Sequence, residues 1–406
     1  MNAVSRIKQA EGSRSGRGLS FARKRSWRPR DRALAAFCFA ASMALSGAGL
    51  LIAQVPLFVA YLPFALALFT QTKRIKIACL AGHFIWVAII SVWGLSALGT
   101  HEVLTFPAAF GAVLALSWSM TLVPIGVSSL LLCLLPWFPA NPLIIAGALF
   151  PGWGIAGLAV LAGLTTAIEV WPRPQVRAGL IVVLLIFSAS AHLFAALDES
   201  GAGAGPDEPA DFTSVDLPEP YFLTRSQEWA AITQTIGIGA TAILGENIFK
   251  YDDVGATNFW CRIASQKDTQ LFIGVEGKEG VSEVWQFNPR DCAPAARIYR
   301  AQFGIPGITG AMLPGRVAWD SWLFPGSGPQ WVACYEGFSP MRWISIGRAG
   351  AQTAIVIAND AMTAPLPTDL VRTKVASTLA RLFNVTPVFA AKGQTILIGP
   401  KRSLER

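Results

Sequence analysis

The chain has 406 residues, 53% of them hydrophobic and 14% charged, with a mean hydropathy of +0.46. So little charge and so high a hydropathy exclude a wholly soluble protein. The excess lies between residues 33 and 197, and all three histidines (His83, His101 and His192) fall there. The C-terminal half therefore excludes Ser-His-Asp, Cys-His and His-ligated metal chemistry built from its own residues.

Residues 1–32 hold ten Lys/Arg against Glu11 and Asp31, which accounts for the whole net charge of +8. A basic tail just ahead of an apolar stretch predicts cytoplasmic anchoring to anionic lipid, so membrane lipid is an expected partner and direct nucleic-acid binding is not. The tail is polar and rich in Ser and Gly, and reads as disordered.

The apolar half divides into candidate spans over 33–52, 55–71, 78–98, 103–122, 124–139, 142–166 and 178–197. A helix crossing lipid needs about 20 residues. Pro107, Pro124, Pro136 and Pro139 leave the count between six and eight, with seven preferred. Lys73, Arg74 and Lys76 follow the second span, and Arg173 and Arg177 precede the last. These and the basic tail belong on the cytoplasmic side, which an odd number of spans satisfies.

Residues 198–220 begin with a Gly/Ala run and become acidic, as a flexible linker does. A globular domain is expected over 221–406. Residues 228–235 read as a short helix, 240–244 and 271–275 as buried strands, and 281–287 as an edge strand. Arg297-Ile298-Tyr299-Arg300 leads into a Gly/Pro-rich loop. Trp319, Trp322 and Phe324 form an aromatic patch, read as core or membrane contact or as ligand contact. Residues 368–383 read as a helix whose apolar stripe (Leu370, Val371, Val375, Leu379, Leu382, Phe383) is core packing. Two closing strands follow, over 388–390 and 395–398.

The six cysteines form no CxxC pair, and neither a disulfide framework nor a metal site is expected. Cys334 differs from the rest in its setting. The run Gln330-Trp331-Val332-Ala333 enters it, and Tyr335-Glu336-Gly337-Phe338-Ser339-Pro340 follows, as a strand feeding a sharp turn. A second apolar run, 354–358, ends at Asn359-Asp360. Strand ends of one sheet are where α/β proteins place chemistry. A cysteine nucleophile needs a base. Without histidine a carboxylate takes that role, and Glu246 and Glu336 are the candidates.

The stretch Cys334-Tyr335-Glu336-Gly337-Phe338-Ser339-Pro340, followed by Ile355-Val356-Ile357-Ala358-Asn359-Asp360-Ala361, resembles the nucleophile motif of the nitrilase (carbon–nitrogen hydrolase) superfamily. Gly245-Glu246 resembles its general-base motif. A multi-span half joined to such a domain is similar to apolipoprotein N-acyltransferase, and to the TraB family of conjugal transfer proteins of rhizobial and Agrobacterium plasmids. The resemblance implies a polytopic α-helical membrane domain followed by a shortened nitrilase-like α-β-β-α sandwich. It implies a bacterial inner-membrane protein with a periplasmic C-terminal domain, possible contacts with conjugation proteins, and no cofactor or metal. It gives Cys334 the acyl-accepting role and Glu246 the base role, with Tyr335, Glu336, Asn359 and Asp360 lining the site. The superfamily also uses a lysine, in a Tyr-x-Lys motif. Here Tyr299-Arg300-Ala301 stands in its place, so Ala301 occupies the lysine's position and Arg300 is the neighbouring candidate cation. Two readings follow: acyl chemistry through Cys334, or an inactive binding or assembly module. A transporter is a weaker third, because the spans carry few ionisable residues beyond His83, Glu169 and His192.

Overall fold

The computed structural model describes residues 29–70, 72–97, 120, 122–133, 141–201, 211–216, 225–277, 282–290, 296–301, 330–358, 368–391 and 394–399. Side chains are described for these except at 91–97, 132, 197–201, 211–216, 225, 246–247, 296, 334–335, 368, 394 and 399.

Helix α1 (Pro29–Leu51) is long and apolar, and its serines are used between helices. Ser42 Oγ donates to the Cys79 carbonyl and Ser46 Oγ to the Ala60 carbonyl. The stretch expected as a second span is instead a 3-10 turn, Leu57–Tyr61, running into the short helix α2 (Leu62–Phe69). Pro56 precedes the turn, and the apolar helical stretch here, Leu57–Phe69, is shorter than the span expected over 55–71. Helix α3 (Lys73–Ala97) and helix α4 (Ile125–Cys133) follow. Most of the span expected over 103–122 lies outside the described residues. A 3-10 turn (Pro142–Ile145) and helix α5 (Ala146–Leu149) lead to helix α6 (Gly154–Val170). The chain bends by 120° between α5 and α6, so residues 142–166 are a broken pair, not one straight helix. Gly152 (φ 76°) and Gly154 (φ 54°) carry the bend in the left-handed region that glycine tolerates best. Helix α7 (Pro174–Gly201) closes this half.

Among the described residues, Pro29–Leu51 and Pro174–Ala196 are long and apolar enough to cross a membrane, and the bent pair adds a third if it counts as one span. Leu185, Ile186, Leu193 and Phe194 of α7 are each more than half exposed. Such outward-facing apolar residues on a long helix suit lipid.

The basic residues gather at one end of this helical half. Ser42 pairs with Cys79 and Ser46 with His83, while Gly47 lies against Trp86, so α1 and α3 run parallel. Their basic starts, Arg30 and Arg32 on α1 and Lys73, Arg74 and Lys76 on α3, are therefore at the same end. Lys76 Nζ donates to the Glu169 carboxylate near the end of α6. Arg177 Nε donates to the Trp171 carbonyl (2.6 Å) and Nη2 to that of Glu169 (3.3 Å).

The remaining elements form an α/β half. In order they are β1 (Asp211–Asp216), α8 (Arg225–Thr235), β2 (Thr241–Lys250), α9 (Val254–Gln266), β3 (Gln270–Glu276), β4 (Ser282–Phe287), β5 (Ala296–Arg300) and β6 (Gln330–Ala333). Next come a 3-10 turn (Cys334–Phe338), α10 (Pro340–Arg348), β7 (Thr353–Ile357), α11 (Thr368–Leu382), β8 (Thr386–Ala390) and β9 (Gln394–Gly399). One sheet has the order β1-β9-β2-β3-β4-β5, and a second, all-parallel sheet has the order β6-β7-β8. Ile232 of α8 and Trp260 of α9 cover one face of the larger sheet at Leu244, Leu271 and Ile273. Its other face, with Ile243, Val284 and Ile396, meets Trp331, Ile355, Ile357 and Val388 of the smaller sheet. The smaller sheet's far face, Val332, Ala354 and Val356, is covered by Trp343 of α10 and Val371, Val375 and Leu379 of α11. A parallel sheet covered on both faces needs apolar residues at successive positions, and Ala354 to Ile357 are all buried.

Four sequence expectations change. Strand β1 falls inside the stretch read as linker and pairs along its length with β9, because Phe212, Thr213 and Val215 favour a strand despite the flanking acids. Strand β4 is interior and β5 is the edge. Helices α9 and α10 are additional elements. Cys261 of α9 is disulfide-bonded, where no disulfide was expected.

The two halves join through α11. Its Lys374 Nζ donates to the carbonyls of Gly49 (2.9 Å), Ile52 (2.6 Å) and Val55 (2.7 Å) at the end of α1. These lie at the opposite end of α1 from the basic residues. Gly152 N–H donates to the Arg381 carbonyl at 3.0 Å. Gly147 of α5 lies so close to α11 that a Cβ would collide with the Thr378 carbonyl.

Candidate functional site

Strand β6 is buried at all four positions and delivers the chain to the turn that begins at Cys334. Pro340 then opens α10, its fixed φ suiting a first helical turn. Strand β7 runs parallel beside β6, with Ala333 opposite Ile357, so both strands end on the same side. Ala358 N–H donates to the Ala390 carbonyl at 3.0 Å, and Asn359 and Asp360, which follow, lie outside the described residues.

Glu246 lies in an irregular part of β2. Pairing with β3 slips between Leu244↔Ile273 and Phe249↔Val275, so residues 245–248 face Gly274 alone. Bulges of this kind re-aim side chains and recur beside active sites. Across the sheet Gly274 pairs with Val284, and Val284 with Tyr299. The bulge and Tyr299 thus share one row, three strands or roughly 14 Å apart at ordinary strand spacing. Strand β6 packs over β3, since the Trp331 ring lies 5.3 Å from that of Phe272. The backbones of Glu246, Tyr299 and Cys334 therefore lie toward the same end of the paired sheets. The side chains of Glu246, Cys334 and Tyr335 lie outside the described ones.

A buried polar clamp holds the turn. Glu336 is fully buried and accepts from the Tyr299 hydroxyl and from Ala333 N–H (3.4 Å). Arg342 of α10 is buried, donates through Nε (3.1 Å) and Nη2 to the Trp331 carbonyl, and places its guanidinium 5.3 Å from the Tyr299 ring centre. Burial raises the Tyr299 pKa well above the usual phenol value, the Glu336 charge raises it further, and Arg342 opposes both. Tyr299 therefore stays protonated and donates to Glu336. The Glu336 carboxylate, a base candidate from sequence, is thus engaged in tying β5 to the turn.

Arg300 follows Tyr299 on β5, and successive side chains on a strand point to opposite faces. Its Nε lies 3.7 Å from Glu283, which also pairs with Arg297 (3.2 Å) and accepts from Trp285 Nε1 (2.9 Å). Ala301 packs against the core between the sheets, as Tyr299 does. Ala301 thus faces the smaller sheet, while Arg300 is held on the other face. The sequence marks Tyr299 only as the tyrosine of the Tyr-x-Lys-like stretch, and Arg342 was not singled out. The one available signal was an arginine two residues after the proline that opens an amphipathic helix. Trp319, Trp322 and Phe324 lie outside the described residues. Among the described residues, no cluster of three His, Cys, Asp or Glu side chains is placed to hold a metal ion.

No protein-family model matches the chain, and no curated protein matches it.

Proposed function

We propose that this is a polytopic inner-membrane protein whose α/β half is a shortened nitrilase-like sandwich that acts through Cys334 on an amide or a lipid-derived acyl group. The observation that carries the reading is that the β2 bulge, Tyr299 and the Cys334 turn lie toward the same end of the paired sheets. In this mechanism Glu246 takes the thiol proton and the Cys334 thiolate adds to the acyl carbon. Backbone N–H groups hold the oxyanion. Collapse expels the amine or alcohol, which recovers the proton from Glu246, and leaves a thioester on Cys334. Water or an acceptor amine then releases the acyl group and restores the thiol.

The position of the turn favours a membrane-borne acyl donor. Gly337 rests on Arg372 and Ala376 of α11, and Lys374 of the same helix holds the end of α1. One helix thus separates the turn from the helical half. With the basic end read as cytoplasmic, the α/β half lies in the periplasm. A role in plasmid conjugal transfer rests on the likeness to TraB proteins.

Ala301 favours a second reading, in which the domain binds or assembles without catalysis. Incubation of the detergent-purified protein with bacterial phospholipid and a thiol-reactive acyl probe, followed by intact-mass analysis, separates the two. An adduct on Cys334, lost in Cys334→Ala and weakened in Glu246→Gln, is the expected result. Ala301→Lys should strengthen it. No adduct, with Cys334 no more reactive than an ordinary thiol, would leave the binding module.

A further inference from the structure

Two free thiols meet inside the helical half. Cys38 of α1 and Cys79 of α3 are unbridged, and their side chains are in hydrogen-bond contact. The packing of the two helices accounts for this. Helices α1 and α3 run parallel and approach closely at Ser42 and Gly82, where a Cβ on Gly82 would lie 2.8 Å from the Met43 nitrogen. Cys38 stands four residues before Ser42, and Cys79 three residues before Gly82, so each lies one turn earlier on the contact face. Ser42 Oγ donates to the Cys79 carbonyl and fixes the register there. One turn later Ser46 Oγ meets His83 Nδ1 at 3.1 Å, and Trp86 Nε1 donates to the Met43 carbonyl at 2.7 Å. The two thiols are thus held together by contacts in which their sulfur atoms take no part.

We propose that Cys38 and Cys79 are a redox pair, which a hydroperoxide dissolved in the lipid oxidises to a disulfide that staples α1 to α3. Cys38 is half-buried and Cys79 is buried. Leu34, one turn before Cys38, and its neighbour Phe37 are exposed and apolar, so the open side of this thiol faces lipid. In the first step the O–O bond breaks. Cys38 takes one oxygen and becomes a sulfenic acid, and the rest of the peroxide leaves as an alcohol. The Cys79 sulfur then attacks the Cys38 sulfur, the S–S bond forms and water leaves. The two electrons given up by the sulfurs reduce the peroxide to that alcohol and water. An apolar setting slows the first step. Contact between the sulfurs speeds the second, because the capture is intramolecular.

The product suits its surroundings. A disulfide carries no charge, whereas a monovalent metal ion between two thiolates would bury a net charge. No group of three His, Cys, Asp or Glu side chains forms around the pair among the described residues. The site lies about 14 Å along α1 from Pro29 and about 9 Å along α3 from Lys73, toward the basic end. With that end read as cytoplasmic, the pair is reduced at rest and the bridge is a response to oxidant. The other end of α1 is tied to the α/β half by Lys374, so the staple stiffens the helix on which that half sits. The inference stands on the α1–α3 packing and not on the acyl chemistry.

The test treats membranes containing the full-length protein with cumene hydroperoxide, then denatures, alkylates with N-ethylmaleimide and maps the peptides without reduction. The expected result is a peptide pair joined at Cys38 and Cys79, which dithiothreitol separates. Oxidation should also raise the unfolding temperature in detergent for the wild type and leave Cys38→Ser unmoved. Alkylation of both cysteines after treatment would overturn the proposal. So would Cys38 oxidised to a sulfinic acid beside an alkylated Cys79. Copper–phenanthroline, a stronger oxidant, tells apart the two ways of failing. A bridge with it alone would overturn the hydroperoxide chemistry, and no bridge with either reagent would overturn the pairing itself.

Discussion

Helices α9 and α11 do the same work on opposite outer faces of the paired sheets, yet their surroundings differ. On α9 the buried residues Ala256, Trp260, Ile263 and Ala264 form one face, and Val254, Asn258, Arg262 and Ser265 are exposed. That is an ordinary amphipathic helix with solvent behind it. On α11 only Asp369 and Arg381 are exposed among the described side chains. Its front packs on the smaller sheet, and its back meets α1, α5 and α6. A helix packed on both sides has no free direction in which to move, so contacts behind α11 should cost more to disturb than their counterparts on α9.

The largest effect is expected at Gly147. Gly147→Ala drives a methyl into the Thr378 carbonyl and should destabilise the protein by about 3 kcal/mol, the upper range for overpacking. On α9, Gly255→Ala meets only Asp253 Oδ1 at 3.4 Å and should shift stability by less than about 1 kcal/mol. Thermal unfolding in detergent, followed by tryptophan fluorescence, compares the two. Equal shifts would break the contrast between the helices.

Arg342→Met is expected to rank next. It strands the buried Trp331 carbonyl and removes the cation beside Tyr299, at about 2–3 kcal/mol. It should also slow alkylation of Cys334 in the folded protein. Unchanged alkylation would detach the clamp from the cysteine. Lys374→Met removes the donor to three carbonyls at the end of α1, at about 1–3 kcal/mol. The matching change on α9, Asp253→Ala, removes an N-cap bond to Ala256 N–H and should cost about 1 kcal/mol. Only Lys374→Met should speed proteolytic release of the α/β half.

The smallest effect is a pH dependence. Tyr299 has a raised pKa when folded, so the folded state holds its proton more tightly than the unfolded one. Its stabilising contribution is present below about pH 10, the ordinary tyrosine value, and is lost as pH rises above that. A phenolate difference titration of wild type against Tyr299→Phe should therefore show no step at the ordinary tyrosine pKa. A step there would place Tyr299 in solvent.

Periodicity and burial runs were enough to find β2, β3, β6, β7, α11 and the closing strands, because each is an apolar pattern of local origin. Helix α9 escaped because Gly255, Asn258 and Arg262 interrupt its stripe, although Asp253 was an N-cap in plain view. Strand β1 escaped because its acids read as linker, while its partner β9 lies far along the chain. At the candidate site Cys334 and Glu336 were legible as residue types just past a strand end, whereas Glu246, expected at the end of a strand, lies inside the longer β2 at its irregular part. The engagement of Glu336 with Tyr299 was not, because it joins β5 to a turn in the other sheet.

By itself the sequence determined the division into an apolar and an α/β half, the basic cytoplasmic-type signals and the setting of Cys334. Composition, charge placement and hydrophobic period are local properties and need no partner to be read. The tertiary structure decided the rest: parallel α1 and α3, the bent α5–α6 pair, two sheets with β4 inside, the disulfide on α9, and α11 packed on both faces. Each of these depends on which distant segment lies opposite, and that is set by close packing across the whole chain.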